Sequence, residues 1–137
     1  MIKLIAAGGV LYRRKSGDVE ILLIKRNGYW DIPKGKSEHD ESISECAVRE
    51  VTEELGISPP SIVQSLGTTE HTYTLDGTEI HKTTHWYLMQ SDARIFQLQA
   101  MEGITDYSWT NLNMAIQRVA FDNLKIVIER TRQALMS

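Results

Sequence analysis

The stretch from Ser42 to Gly56 carries the start and stop signals of a single helix. Ser42 and Glu45 fit the S-x-x-E capping box, in which each side chain accepts a backbone N–H of the other residue. Gly56 stands where a helix turns into left-handed backbone, and Pro59-Pro60 forbids any continuation. At about 100° per residue, with Glu50 at zero, Glu53 falls near −60° and Glu54 near +40°. Three carboxylates therefore share one face, while Val48, Val51 and Leu55 cluster roughly 130° away and predict a separate core face.

The flanking segments read as strands. Residues 2–12 are apolar around Gly8-Gly9, which suits a strand that bends or admits a close approach. Ser16-Gly17-Asp18 predicts a turn into a second strand over 19–26, forming a hairpin. Residues 27–41 predict a loop, on Asn27-Gly28, Pro33 and Gly35. After the helix, 61–69 and 70–75 predict strands, and Asp76-Gly77 predicts a hairpin into 78–89. A further strand over 104–109 precedes two helices, capped by Thr110 and Asp122; the second repeats Leu124, Val127, Ile128, Thr131 and Leu135 at helical spacing. This order predicts one α+β domain over residues 1–137, an α/β/α sandwich around a mixed sheet.

A net charge of −3 argues against a broad nucleic-acid footprint, which needs a basic face. The lone Cys46 forbids an internal disulfide and suits a reducing cytoplasm. The apolar run at the N-terminus is short and flows into Arg13-Arg14-Lys15, which fits a buried strand better than a leader; nothing has the length of a membrane span.

Like charges at i,i+3 and i,i+4 each cost a few tenths of a kcal/mol unless compensated. The acidic face thus needs water and salt, or a cation. Hard carboxylate oxygens on a rigid face suit Mg²⁺, which binds through a few carboxylates and substrate phosphates.

The spacing decides between these. Gly35, Glu41, Arg49, Glu50, Val51, Glu53, Glu54, Gly56 and Ile57 meet every fixed position of G-x5-E-x7-R-E-U-x-E-E-x-G-U, where U is a bulky aliphatic residue. The segment resembles the Nudix hydrolase signature. That resemblance implies cleavage of a phosphoanhydride in a nucleoside diphosphate derivative with Mg²⁺ or Mn²⁺. It implies Glu50, Glu53, Glu54 and the Gly35 carbonyl as metal ligands, and Arg49 as the residue that holds these carboxylates. Glu41 closes the loop against Arg49. The base is Glu50, Glu53 or a residue outside the signature, for which Glu102 is the candidate and Asp106 the weaker alternative.

The run Trp30-Asp-Ile-Pro-Lys-Gly-Lys36 resembles the diadenosine polyphosphate hydrolase branch. Lys34 is a candidate phosphate contact, and Trp30 reads as a loop anchor. On the strand over 78–89, His81, Thr83, His85 and Tyr87 alternate with Lys82, Thr84, Trp86 and Leu88. Lys82 is a candidate for phosphate and Tyr87 for a base; no histidine is assigned a catalytic role. Glu38-His39-Asp40 replaces the Glu-Pro-Gly turn of many family members. The alternatives are a nucleoside triphosphate pyrophosphohydrolase, an RNA 5′-pyrophosphohydrolase disfavoured by charge, and a non-catalytic nucleotide-binding module. The last would be expected to have lost signature carboxylates. Phe121 and the C-terminal helix offer an apolar face for a homodimer.

Overall fold

In the computed structural model, which describes residues 1–136, the first helix has the expected bounds. Helix α1 spans Ile43–Leu55. Ser42 Oγ accepts from Glu45 N at 3.1 Å, and Glu45 Oε1 accepts from Ser42 N at 2.9 Å. Gly56 closes the helix at φ 63°, its N–H donating to Thr52 O at 2.9 Å.

Seven strands form one mixed sheet among the described residues: β1 Ile2–Lys15, β2 Asp18–Arg26, β3 Tyr29–Asp31, β4 Lys34–Lys36, β5 Ser61–Leu75, β6 Thr78–Gln90 and β7 Ile104–Asn111. The main order is β3-β2-β1-β6-β5, with β7 on β2 and β4 on β1. β1 and β6 pair in parallel, from Ile2 opposite Ile80 to Leu11 opposite Met89; the other pairs are antiparallel. Along its other edge β1 meets β4 at Ala6–Gly8 and β2 only from Tyr12 onward. This switch folds the loop between β3 and β4 onto the sheet.

Gly8 and Gly9 allow that approach. A Cβ at Gly8 would strike the Pro33 carbonyl, and one at Gly9 would strike Met89; Gly9 N donates to Pro33 O at 3.1 Å. The close approach is by the protein's own chain.

Central strands are apolar on both faces, as expected for a sheet covered twice. Val10, Tyr12, Ile21, Leu23, Trp86 and Leu88 pack with helices α2 (Leu112–Arg118) and α3 (Asp122–Met136), which contribute Leu112, Ala115, Leu124, Val127 and Ile128. On the opposite face Ala7, Leu11, Leu22, Ile24 and Met89 pack with Ala47, Val51 and Leu55 of α1. This is the expected α/β/α sandwich.

Four local expectations need correction. Residues 61–75 form one strand, because Glu70 stays paired with Thr83; the irregularities lie nearer its start, around Ile62–Gln64 and Ser65–Gly67. The 27–41 segment contains two short strands. Asn111, not Thr110, caps α2: Asn111 Oδ1 accepts from Met114 N at 2.9 Å, while Thr110 remains in the ladder opposite Ile21. Asp122 is the first residue of α3, with its carboxylate 3.6 Å from Lys125 Nζ.

The outer edge of β5 is partly closed by α3. Arg130 Nη1 donates to Leu66 O and Thr68 O at 3.1 and 2.7 Å, and Asn123 Nδ2 donates to Glu70 O at 3.2 Å. Side chains thus occupy carbonyls that would otherwise template another strand.

Candidate metal and substrate site

The face of α1 that bears the carboxylates is not a simple solvated surface. Side-chain exposure rises around the helix from 2% at Glu54 to 13% at Glu50 and 46% at Glu53. Glu54 lies beside the core face and is covered by Arg26 and β4, which the helical angles alone did not reveal. The predicted separation of core and acidic faces is therefore graded.

Arg49 organises the exposed side of this face. Its Nε and Nη2 donate to Glu41 Oε2 and Oε1 at 2.8 and 2.9 Å, a two-pronged bond. Nη1 lies 3.3 Å from Glu50 Oε2, from Glu53 Oε2 and from Glu38 Oε1, and Nη2 donates to Lys36 O at 3.1 Å. One guanidinium thereby joins the loop, β4 and α1. Arg49 holds the Glu41 carboxyl down to about 2.

Gly35 of β4 sits directly against Glu50, with no room for a Cβ. The Cys46 thiol donates weakly to Gly35 O at 3.7 Å. Burial, chiefly, raises the Glu50 carboxyl; Arg49 opposes this, while Glu53 and Glu102 add to it. Glu102, in a 3₁₀ turn over Ala100–Glu102, is exposed yet within electrostatic reach of Glu50. Asp106 is exposed on β7, opposite Lys25.

Buried Glu54 is pushed up to about 7 by loss of hydration, against the pull of Arg26. Arg26 Nη2 donates to Glu54 Oε1 at 2.7 Å, and Lys34 N donates to the same oxygen at 3.2 Å. Arg26 Nε also donates to Asp31 Oδ2 at 3.2 Å.

The donor chemistry fits a hard divalent cation: Glu53 and Glu102 repel the Glu50 carboxylate, Glu50 repels Glu54, and Glu50 fills the space a side chain at residue 35 would take. Among the described residues no three acidic, histidine or cysteine side chains already surround one point; Arg49 and Arg26 hold the carboxylates in ion pairs instead.

Across Lys34 lies a pocket of about 400 Å³, on the sheet face covered by α3. Asp31, Lys34, His71, Lys82, Trp86 and Phe121 are among its walls. Lys82 is half-buried, and its ammonium is disfavoured first by burial, then by Lys34 and Lys36. His71 is lowered by burial and by Lys82 and Lys34. Asp31 and Asp122 also line this pocket and offset its two lysines in part. Phe121 is exposed beside Tyr29, ring centroids 6.0 Å apart.

Sequence-derived candidates divide accordingly. Lys34 and Lys82 share the pocket; Tyr87 does not, because strand alternation sends it to the α1 face, where it packs against that core. His81 pairs with Glu70 at 3.4 Å, and His85 lies on the Tyr87 face. Trp30 packs on the α2–α3 core, which makes it a loop anchor. Arg26 and Asp31 were not anticipated, the one sequence trace being the charge of Arg26 at the end of an apolar strand, and Phe121, read from sequence as part of a dimer face, lines this pocket. A larger polar cleft of about 980 Å³ between Gly56–Ser61 and Gln90–Ile95 has only Asp92 and Arg94 as charged walls.

The NUDIX domain family model matches residues 3–129. The chain is 28% identical over 141 residues to a pig (Sus scrofa) protein named bis(5′-nucleosyl)-tetraphosphatase [asymmetrical], covering 96% of this chain and 95% of that one. It is 33% identical over 92 residues to the Mycobacterium tuberculosis protein MutT4, covering 67% of this chain but spanning only 36% of that protein's length. Among solved structures, the NUDIX domain of Shewanella oneidensis NrtR complexed with ADP ribose superposes with a TM-score of 0.78 at 25% identity, covering 98% and 90% of the two chains. A Caenorhabditis elegans Ap4A hydrolase binary complex has the same fold, with a TM-score of 0.77 at 22% identity over 97% and 98%.

Proposed function

The chain belongs to the Nudix hydrolase family, and from that premise we propose that it hydrolyses a phosphoanhydride bond in a nucleoside polyphosphate, most specifically a diadenosine polyphosphate, by attack of water at phosphorus. The observation that carries this reading is the place of Lys34. Its backbone N–H holds Glu54 on the acidic face, and its side chain lines the pocket that also holds Lys82. A substrate whose phosphates cross Lys34 would have the carboxylates of α1, which would hold the metal, on one side and Lys82 on the other.

Members of this family generally use divalent metal ions. Glu50, Glu53, Glu54 and the Gly35 carbonyl would hold Mg²⁺ or Mn²⁺, which supplies charge neutralisation at the phosphates and acidifies bound water. Arg49 keeps Glu50 and Glu53 in place by ion pairs at 3.3 Å. Glu102 is the base candidate outside the ligand set, an exposed carboxylate within electrostatic reach of Glu50. Lys34 and Lys82 bind phosphate; Trp86 and Phe121 give the pocket aromatic surface for a nucleoside.

The dinucleotide assignment draws support from the Trp30–Lys36 run and from likeness to the pig tetraphosphatase over nearly the whole of both chains. A nucleoside triphosphate pyrophosphohydrolase is the second reading, since Lys34 and Lys82 share a pocket that would take any polyphosphate chain. Product release from diadenosine tetraphosphate, nucleoside triphosphates, ADP-ribose and a sugar nucleotide, with Mg²⁺ and then with excess chelator, separates them. Metal-dependent cleavage of the dinucleotide well above the rest is expected. Preference for a triphosphate would replace the dinucleotide reading with the second, and no cleavage of any by folded protein would contradict both.

A further inference from the structure

Arg26 ends β2 between two acids that come from different elements. Nη2 donates to Glu54 Oε1 of α1 at 2.7 Å, and Nε donates to Asp31 Oδ2 of β3 at 3.2 Å. The three side chains are 16%, 2% and 8% exposed respectively, so water screens little of this charge. Each acid is also fixed by a main-chain donor: Lys34 N donates to Glu54 Oε1 at 3.2 Å, and Ile32 N donates to Asp31 Oδ1 at 2.8 Å. Asp31 Oδ2 lies 3.5 Å from Lys34 Nζ at the pocket wall. Two donors therefore engage Glu54 Oε1, while Glu54 Oε2 accepts no hydrogen bond among the described residues.

We propose that Arg26 is a positioning residue, which sets Glu54 so that one carboxylate oxygen stays free for the divalent cation and ties that carboxylate, through Asp31, to the wall of the substrate pocket. The inference rests on the reading of Glu54 as a metal ligand. Arginine suits the role because its planar fork donates along separate directions from a fixed frame; a lysine ammonium is a single point on a flexible stem. Stability alone is a poor account of the triad, since buried ion pairs are often replaced by apolar residues of similar volume without loss. A positioning role accounts for all three members.

Titration calorimetry with Mn²⁺, without nucleotide, tests this on the wild type, Arg26→Lys, Asp31→Asn, Glu54→Gln and the Arg26→Lys/Glu54→Gln double variant, with thermal unfolding as the check on folding. Arg26→Lys keeps the charge and should weaken Mn²⁺ binding about tenfold, at the low end of what loss of a ligand's supporting partner costs. Asp31→Asn, which touches no proposed ligand, should weaken it a few-fold. In the Glu54→Gln background Arg26→Lys should change affinity less than about twofold, because the two act through one group. Arg26→Lys and Asp31→Asn both binding as the wild type does, or an undiminished Arg26→Lys effect without Glu54, overturns the proposal. Should Arg26→Lys fail to fold, Asp31→Asn decides it. Loss of binding in Glu54→Gln alone refutes only the role of Arg26, whereas a wild type that takes up no Mn²⁺ refutes the metal reading and this proposal with it.

Discussion

Arg49 grips both oxygens of Glu41, at 2.8 and 2.9 Å, across the junction between the loop and α1. The folded Glu41 carboxyl titrates at about 2 rather than at its ordinary 4.5. Its contribution is thus complete above about pH 4.5 and is lost as pH falls toward about 2. Glu41→Gln should cost about 1–2 kcal/mol near pH 7, the worth of a charge-assisted hydrogen bond reduced by solvent screening. Urea unfolding of both proteins between pH 7 and pH 3 checks this: their stabilities should converge as pH falls. A difference independent of pH would refute the ion pair as the cause.

Glu54 should act in the opposite direction. Its carboxyl is raised from 4.5 to about 7 in the fold, so metal-free stability should fall as pH rises from about 4.5 through about 7. Glu54→Gln should flatten that limb in metal-free unfolding curves. Saturating Mg²⁺ should raise the stability of the wild type above pH 7 by more than that of the variant, which keeps fewer ligands.

Glu53 is nearly half exposed and pairs with Arg49 only at 3.3 Å. Glu53→Gln should therefore change unfolding free energy by less than about 0.5 kcal/mol, as for surface substitutions. Turnover should nevertheless fall at least about a hundredfold, about 2.7 kcal/mol of barrier. Unchanged turnover by steady-state assay would remove Glu53 from the chemistry.

Lys82 is half-buried, with Lys34 and Lys36 opposing its charge. Lys82→Met keeps the stem and deletes the ammonium. KM should rise about tenfold, for roughly 1.4 kcal/mol of phosphate binding, with kcat little changed. A fall in kcat at constant KM would place Lys82 at the reacting phosphoryl group instead.

Much of this site was legible because its signals are local. The capping box and Gly56 bound α1 from nearest-neighbour chemistry, and the fixed spacing of Glu41, Arg49, Glu50, Glu53 and Glu54 survives any packing of the helix. Alternation along β6 likewise separated Lys82 and Trp86 from Tyr87, but it could not say which face α3 covers, and Tyr87 fell on the other one. The Asp31–Arg26–Glu54 triad joins residues 28 apart in the chain, and no period encodes it. Glu54 shows the limit well: its angle on the helix was computable from sequence, but its burial depends on where β4 and Arg26 lie.

Metal-dependent attack of water on phosphorus leaves the water's oxygen on a phosphate, which hydrolysis of diadenosine tetraphosphate in ¹⁸O-labelled water follows. With Mg²⁺, mass spectrometry should find one ¹⁸O on a phosphate group of the products per bond cleaved, and chelator should abolish both cleavage and label. Cleavage that persists in chelator, or phosphate products without the label, would contradict the account.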